Sequence, residues 1–325
     1  MSLKEHAMNI KLIQQFQALR QLSGGFRASR VILTANNYAV FEYLKTPKTA
    51  AFLARTIKTD PRATEILLDA VTALGLLLKK GSTYRDTPLA RAFLIKTSPW
   101  YQGDMLRHSD HLWKNWSGLD EIVKTGMPNR IEGRDYGVFI RAMHNNAVLR
   151  APAVIDAVNL TRVKTAIDLG GGPGTYCAEL ARRGVRVTLF DLPDAINVAR
   201  KLVKIKTVRF MKGDFHSDNI GKGYDLVLIS QVLHSLSVRE ILAILKKASD
   251  ALNPKGIIAI HEFLLGNNRA HPAPSALFSI NMLINTAEGR CYTPKEMKDW
   301  LIKTGFRSIE KKVIGDTVVM MGRKG

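Results

Sequence analysis

Two rhythms of apolar residues divide this chain. From residue 12 to about residue 107 they recur at helical spacing, in residues 12–22, residues 31–44, KTAAFLARTIK and LLDAVTALG. Asp60 before Pro61 supplies an N-cap and a first-turn residue for a helix over about residues 61–75, with Glu65 in its opening turn. LLLKKGSTYRDT then predicts two short strands around Lys80-Gly81-Ser82. Helix, turn, helix and hairpin in this order predict a winged helix. Past residue 160 the rhythm changes to short apolar runs separated by helical stretches. Residues 163–169, VRVTLF, VRFMKGDF, YDLVLIS and GIIAIHEFLL predict five strands, the third ending at Asp214-Phe215. Strands alternating with helices predict an α/β fold with a parallel sheet.

The first of these strands runs into Asp168-Leu169-Gly170-Gly171-Gly172-Pro173-Gly174, and a helix over residues 176–183 follows. Glycines between a strand and a helix let the backbone turn sharply and approach a ligand closely. The dinucleotide pattern G-x-G-x-x-G would need its last glycine at Thr175. The chain instead sets an acid and then glycines at every second position: Asp168, Gly170, Gly172 and Gly174. That spacing resembles the first motif of the class I methyltransferases, which bind S-adenosylmethionine (SAM). Asp191 ends the second predicted strand, where an acid takes ribose hydroxyls. Asp214 with Phe215 ends the third, where an acid and a ring suit adenine. His234 lies just beyond the fourth strand and Glu262 near the end of the fifth, and ligands of open parallel sheets lie beyond those ends.

From about Val138 onward the chain resembles the small-molecule O-methyltransferases of the caffeate, hydroxyindole and antibiotic-tailoring type. DLGGGPGT, FDLPDAI, GDF, VLHSLS and NPKGIIAIHEFLL carry the resemblance. It implies a Rossmann-like seven-stranded methyltransferase sheet at residues 161–325. It also implies a helical bridge and substrate lid at 106–160, and a winged-helix-like domain at 1–105 through which the family dimerises. His234 then corresponds to the family's general base and Glu262 to the residue that orients it. Leu192 and Ser230 join the cofactor residues. Phe139 and Met143 on FIRAMHNN, with Asn281, Met282 and Asn285 on the segment after the fifth strand, become candidates for the acceptor pocket. Phe278 shares a helix face with the last three. An aromatic group before and along that bridge (Trp100, Tyr101, Trp113, Trp116, Tyr136, Phe139) would be core or a roof over a planar acceptor. The chain departs from the plant pattern at three places. Ser235-Leu236 follows the histidine instead of Asp-Trp, Ser230 and Gln231 stand where Lys and Trp precede it, and Cys291 replaces a second glutamate. The resemblance favours methylation at oxygen; methylation at carbon or nitrogen, or SAM use without methylation, is the alternative.

Length and composition fit two soluble domains: 325 residues, 46% of them hydrophobic. Two cysteines offer no disulfide framework, no metal is expected, and no signal or membrane segment is evident, so the expected compartment is the cytoplasm. The net charge of +20 is divided equally between residues 1–150 and 151–325. Spread charge suits solubility more than a nucleic-acid face. A ligand-sensing winged-helix regulator is the reading from another class. However, the helix over residues 61–75 offers Arg62, Thr64 and Glu65 followed mostly by apolar residues. That is a poor base-reading face. The expected partners are a small-molecule acceptor and a second copy of the chain.

Overall fold

A computed structural model describes residues 3–129 and 135–325. The chain falls into two compact units, residues 1–110 and 111–325.

The N-terminal unit opens with α1 (Leu3–Asn37) and a short α2 (Val40–Tyr43). Two separate helices over residues 12–22 and 31–44 were expected. Instead the helix runs unbroken through Gly24-Gly25, and the break falls at Ala39, whose φ of 52° is left-handed. A glycine weakens a helix interior without ending it. β1 (Lys48–Thr49), α3 (Ala50–Ile57), α4 (Pro61–Ala73), β2 (Leu77–Lys80), β3 (Thr83–Asp86) and α5 (Pro88–Phe93) follow. Asp60 Oδ1 caps α4 by accepting from Ala63 N at 2.7 Å, a contact worth about 1 kcal/mol. The helix ends at Ala73, because Gly75 turns the chain at φ 76° into β2. The strands pair antiparallel in the order β1-β3-β2. Phe41, Leu53, Leu68, Leu77 and Tyr84 form the core. Trp100 is exposed, so it belongs to no core. α6 (Gly103–Trp116) contains the division between the units.

The second unit continues through α7 (Leu119–Thr125), α8 (Tyr136–Ala147), α9 (Ala151–Asp156), β4 (Thr165–Leu169), α10 (Thr175–Arg182), β5 (Arg186–Asp191) and α11 (Pro193–Leu202). After them come β6 (Val208–Lys212), β7 (Tyr224–Ser230), a single 3-10 turn (Leu233–Ser235), α12 (Val238–Ala251) and β8 (Leu252–Phe263). The chain closes with α13 (Ala273–Asn285), α14 (Pro294–Lys303), β9 (Phe306–Ile314) and β10 (Thr317–Lys324). Seven strands form one sheet in the order β6-β5-β4-β7-β8-β10-β9. The first five are parallel, and β10 runs antiparallel to both its neighbours. β4 pairs with β5 on one side and β7 on the other, so the strand order reverses there. That switch point is where open sheets bind ligands. β6 ends at Lys212, two residues short of expectation; Gly213 N donates to Asp191 O and turns Asp214 and Phe215 off the strand. Among the described residues no helix is long and apolar enough to cross a membrane.

Alternation along the strands assigns every side chain to a face. Leu226 and Leu228 of β7 and Ile257 and Ala259 of β8 pack into one core with Tyr176 and Leu180 of α10. Val227, Ile229, Ile258 and Ile260 pack on the other face against Leu233, Ile241 and Leu245. Continuing the alternation sends Ser230 and His261 to the first face and Glu262 to the second.

Candidate active site

Gly170, Gly172 and Gly174 all have positive φ, at 69°, 52° and 75°. Gly172 faces open space: a Cβ there would meet nothing within 4 Å. Gly174, just before α10, has no such room, since a Cβ would stand 2.7 Å from Leu189 Cδ1. The loop therefore presents bare backbone on one side and packs tightly on the other, as a cradle for a ligand must.

Asp191 at the end of β5 braces this loop. Its Oδ2 accepts from Gly172 N at 2.7 Å, and its Oδ1 accepts from Leu192 N at 2.7 Å. Burial pushes its carboxyl upward while these two amides pull it back. Each oxygen keeps a free lone pair, the arrangement a ribose diol requires. Leu192 is exposed beside it. Asp214 accepts from His216 N at 2.8 Å, and Phe215 packs on His216 with ring centroids 4.7 Å apart. A Cβ on Gly170 would come within 3.4 Å of Phe215, so the loop and the aromatic close on each other. Asp168 lies beneath the loop, fully buried. Cys177 Sγ donates to its Oδ2 at 3.3 Å, its Oδ1 has no partner among the described residues, and burial pushes its carboxyl up to about 7. These residues fit a nucleoside with a cationic amino-acid tail: diol acceptors, an aromatic beside an acid, and an unpaired buried carboxylate oxygen. They offer no ring of donors for phosphates.

The second cluster lies at the ends of β7 and β8. The 3-10 turn after β7 buries His234. Glu262 Oε2 stands 2.7 Å from His234 Nδ1, and Oε1 accepts from the backbone N of His234 at 3.3 Å. A carboxylate only accepts, so Nδ1 carries the proton and Nε2 presents a lone pair. Nε2 has no hydrogen bond among the described residues. Phe278 meets the imidazole edge-on at 5.0 Å and 85°, and Phe263 lies 5.8 Å away. Cys291 is buried nearby, its backbone N donates to Ser279 Oγ, and burial pushes its thiol up to about 12. It is a neutral neighbour where the resembled plant enzymes have a second carboxylate.

The pocket candidates divide into two groups. Phe139 and Met143 lie one turn apart on α8, half-buried, with Tyr136 5.9 Å from Phe139. Asn281 and Asn285 are already engaged. Trp116 Nε1 donates to Asn281 Oδ1 at 3.2 Å, Asn115 Nδ2 donates to Asn285 Oδ1 at 3.1 Å, and Asn285 Nδ2 donates to Asn281 O at 2.7 Å. This ladder fastens α13 to α6, and Met282 is buried beside it. Ser230 lies against His261, with Oγ 2.8 Å from Nδ1. Tyr176 and His261 were not anticipated; a histidine adjoining Glu262 in the sequence HEF was the available signal.

Known proteins match along the whole chain. Residues 110–307 match the O-methyltransferase domain family and residues 20–96 the O-methyltransferase dimerisation domain. The tetracenomycin polyketide synthesis 8-O-methyl transferase of Streptomyces glaucescens is 31% identical, over 94% of this chain and 95% of that protein. Acetylserotonin O-methyltransferase of Mus musculus is 30% identical, over 96% of this chain and 89% of that protein. The crystal structure of human N-acetylserotonin methyltransferase in complex with SAM superposes with a TM-score of 0.89 at 27% identity, covering 96% of this chain and 98% of that one. The chain therefore belongs to the SAM-dependent O-methyltransferases of small molecules and carries that family's N-terminal dimerisation domain.

Proposed function

We propose that this protein methylates a hydroxyl oxygen of a small aromatic molecule, with His234 as general base and Glu262 as its orienter. The observation that carries the reading is the 2.7 Å contact from Glu262 to Nδ1, which leaves the Nε2 lone pair to accept a proton, with Phe263 and Phe278 beside the ring. Relatives named for acetylserotonin and for 3-hydroxy-5-methyl-1-naphthoate support an aromatic hydroxyl as acceptor.

SAM, when bound, supplies an electrophilic methyl on a sulfonium. Gly170, Gly172 and Gly174 would hold its amino-acid end, with Asp168 beneath. Asp191 and Leu192 would hold its ribose, and Asp214 and Phe215 its adenine. His234 Nε2 takes the proton of the acceptor hydroxyl. A phenol and an imidazole with ordinary values differ by roughly 3.5 pKa units, so complete prior deprotonation costs about 5 kcal/mol. Proton transfer during attack avoids most of that, and the Glu262 carboxylate stabilises the imidazolium as it forms. Phe263 and Phe278 keep water from the imidazole, and alignment supplies much of the remaining rate. Phe139 and Met143 form one wall of the acceptor pocket. Asn281 and Asn285 set the position of the other, α13. The protein works as a homodimer through its N-terminal domain, and two unpaired cysteines suit a reducing cytoplasm.

The test is isotope-labelled SAM offered with phenols, quinols, indoles and naphthols. Label appearing in an ether supports the reading. Label on carbon or nitrogen moves the enzyme to another transfer, and no uptake of SAM or S-adenosylhomocysteine by calorimetry ends it.

A further inference from the structure

Behind the His234–Glu262 pair, on the opposite face of the same two strand ends, lies a second polar group. Ser230 closes β7 and is the register partner of His261 on β8. Their side chains meet with Ser230 Oγ 2.8 Å from His261 Nδ1. The Tyr176 ring meets His261 at 5.6 Å and 63°. All three side chains are buried, His261 to 1% exposure. Tyr176 stands in the first turn of α10, two residues past Gly174. Three pieces of the site thus converge on one point: the helix that follows the cofactor loop, the strand that leads to His234, and the strand that carries Glu262.

An imidazole nitrogen is a stronger acceptor than an aliphatic hydroxyl, so Ser230 O–H donates to His261 Nδ1. Burial holds His261 uncharged, its pKa lowered to about 4, so Nδ1 is free to accept. Nε2 is buried without a partner among the described residues. A histidine that leaves one nitrogen unmet is costly, and an isoleucine would fill the same space; what the imidazole adds is the contact to Ser230.

The backbone offers a lever between the faces. Gln231 N donates to His261 O at 2.8 Å, and Gln231 takes a left-handed φ of 58°, unusual for a residue with a side chain. Such a conformation persists when its neighbours hold it. Gln231 has Ser230 on one side and the His234 turn on the other.

We infer that Tyr176, Ser230 and His261 are positioning residues that register the cofactor loop against the His234–Glu262 pair. The inference rests on the reading of His234 as base and deepens it. A cofactor seated on the loop bears on α10, and the Tyr176–His261 ring contact with the Ser230–His261 hydrogen bond passes that load to the ends of β7 and β8.

The test needs no acceptor. The His234 imidazole is followed by NMR in histidine-labelled protein, with and without S-adenosylhomocysteine, in wild type, Tyr176→Leu, Ser230→Ala and His261→Leu. Calorimetry gives the product affinity of each variant, and the His234 signals are compared at saturation. The change the product induces at His234 should shrink by about half or more in every single variant, and Tyr176→Leu combined with Ser230→Ala should lose no more than either alone. Ser230→Ala removes one oxygen and carries the test if a larger change does not fold. An undiminished response at His234 in variants that bind the product overturns the inference and leaves the proposed function standing. Failure of wild type to bind the product removes the cofactor reading, and the inference with it.

Discussion

Glu262 holds His234 at two points, the imidazole Nδ1 at 2.7 Å and the backbone N at 3.3 Å. The first fixes the tautomer; the second fixes the turn that carries the ring. Glu262→Gln keeps the shape but can satisfy only one of these donors with its oxygen, and its amide offers a donor where an acceptor is needed. Turnover should fall about 10- to 100-fold in Glu262→Gln and about 100-fold or more in His234→Ala. Calorimetric SAM affinity should stay within about threefold in both. Unaltered turnover in His234→Ala would leave alignment as the whole of the catalysis.

The glycine loop separates binding from folding. At Gly172 an alanine meets no atom but must adopt a φ of 52°, a strain of roughly 1–2 kcal/mol. At Gly174 an alanine carries the same strain and also overlaps Leu189 and Val203, at 2.7 and 2.9 Å. Gly172→Ala should weaken SAM binding about tenfold with a small loss of stability, because its methyl enters the space the ligand needs. Gly174→Ala should lose about 2–4 kcal/mol of stability in denaturant melts. Equal melts for the two would show that the packing behind Gly174 gives way.

These contrasts explain what was legible in the sequence. The loop, Asp191 and the strands that carry them are local signals: an apolar run, a turn residue and an acid within a few positions. His234 and Glu262 were legible as neighbours because each stands at the end of its own strand, and the sheet brings strand ends together by rule. The register that sets Ser230 against His261, 31 positions apart, and the ladder from Asn281 to Trp116, 165 positions apart, depend on packing that no window of sequence contains. Two helices were expected over residues 12–22 and 31–44, but α1 runs through Gly24-Gly25, and β6 stops at Lys212 where the strand was expected to reach Asp214-Phe215.

Asp86 gives the N-terminal unit a pH dependence. It closes β3, is 2% exposed, and neither of its carboxylate oxygens has a partner among the described residues. Burial pushes it up to about 7, with Glu42 adding to the rise and Arg91 and Lys45 opposing it. A raised carboxyl is protonated in the folded state while the unfolded chain has already released its proton above pH ~4. Stability from this group is therefore greatest at low pH, declines as pH rises from about 4 to about 7, and is level beyond. A shift of about three units corresponds to at most about 4 kcal/mol. Urea melts at pH 5 and pH 8 should differ less in Asp86→Asn than in wild type. An identical difference in both would place the dependence elsewhere.

Both cysteines should be chemically silent in the folded protein. Burial drives the Cys177 thiol well above its ordinary range, with the Asp168 carboxyl adding to it, and drives Cys291 to about 12. The thiolate is the reactive form. Iodoacetamide at pH 8 should label neither in native protein and both in urea. Rapid native labelling of Cys291 would show the region around His234 to be open to water.

α1 presents an apolar stripe that its own unit does not cover. Met8, Leu12, Phe16, Leu19, Leu22 and Phe26 recur every three or four residues, and each is more than half exposed. That spacing places them along one face of the helix. A monomer rarely leaves so long an apolar face in water, and the match to a dimerisation domain makes a second copy its expected cover. The matched dimerisation domain begins at residue 20, inside this stripe. A glutamate in the middle of such an interface would be buried without a partner, at a cost of about 3 kcal/mol or more for each copy. Phe16→Glu with Leu19→Glu should convert a dimer to a monomer in sedimentation velocity, while circular dichroism stays that of the folded chain. A variant that still sediments as a dimer would move the interface off α1.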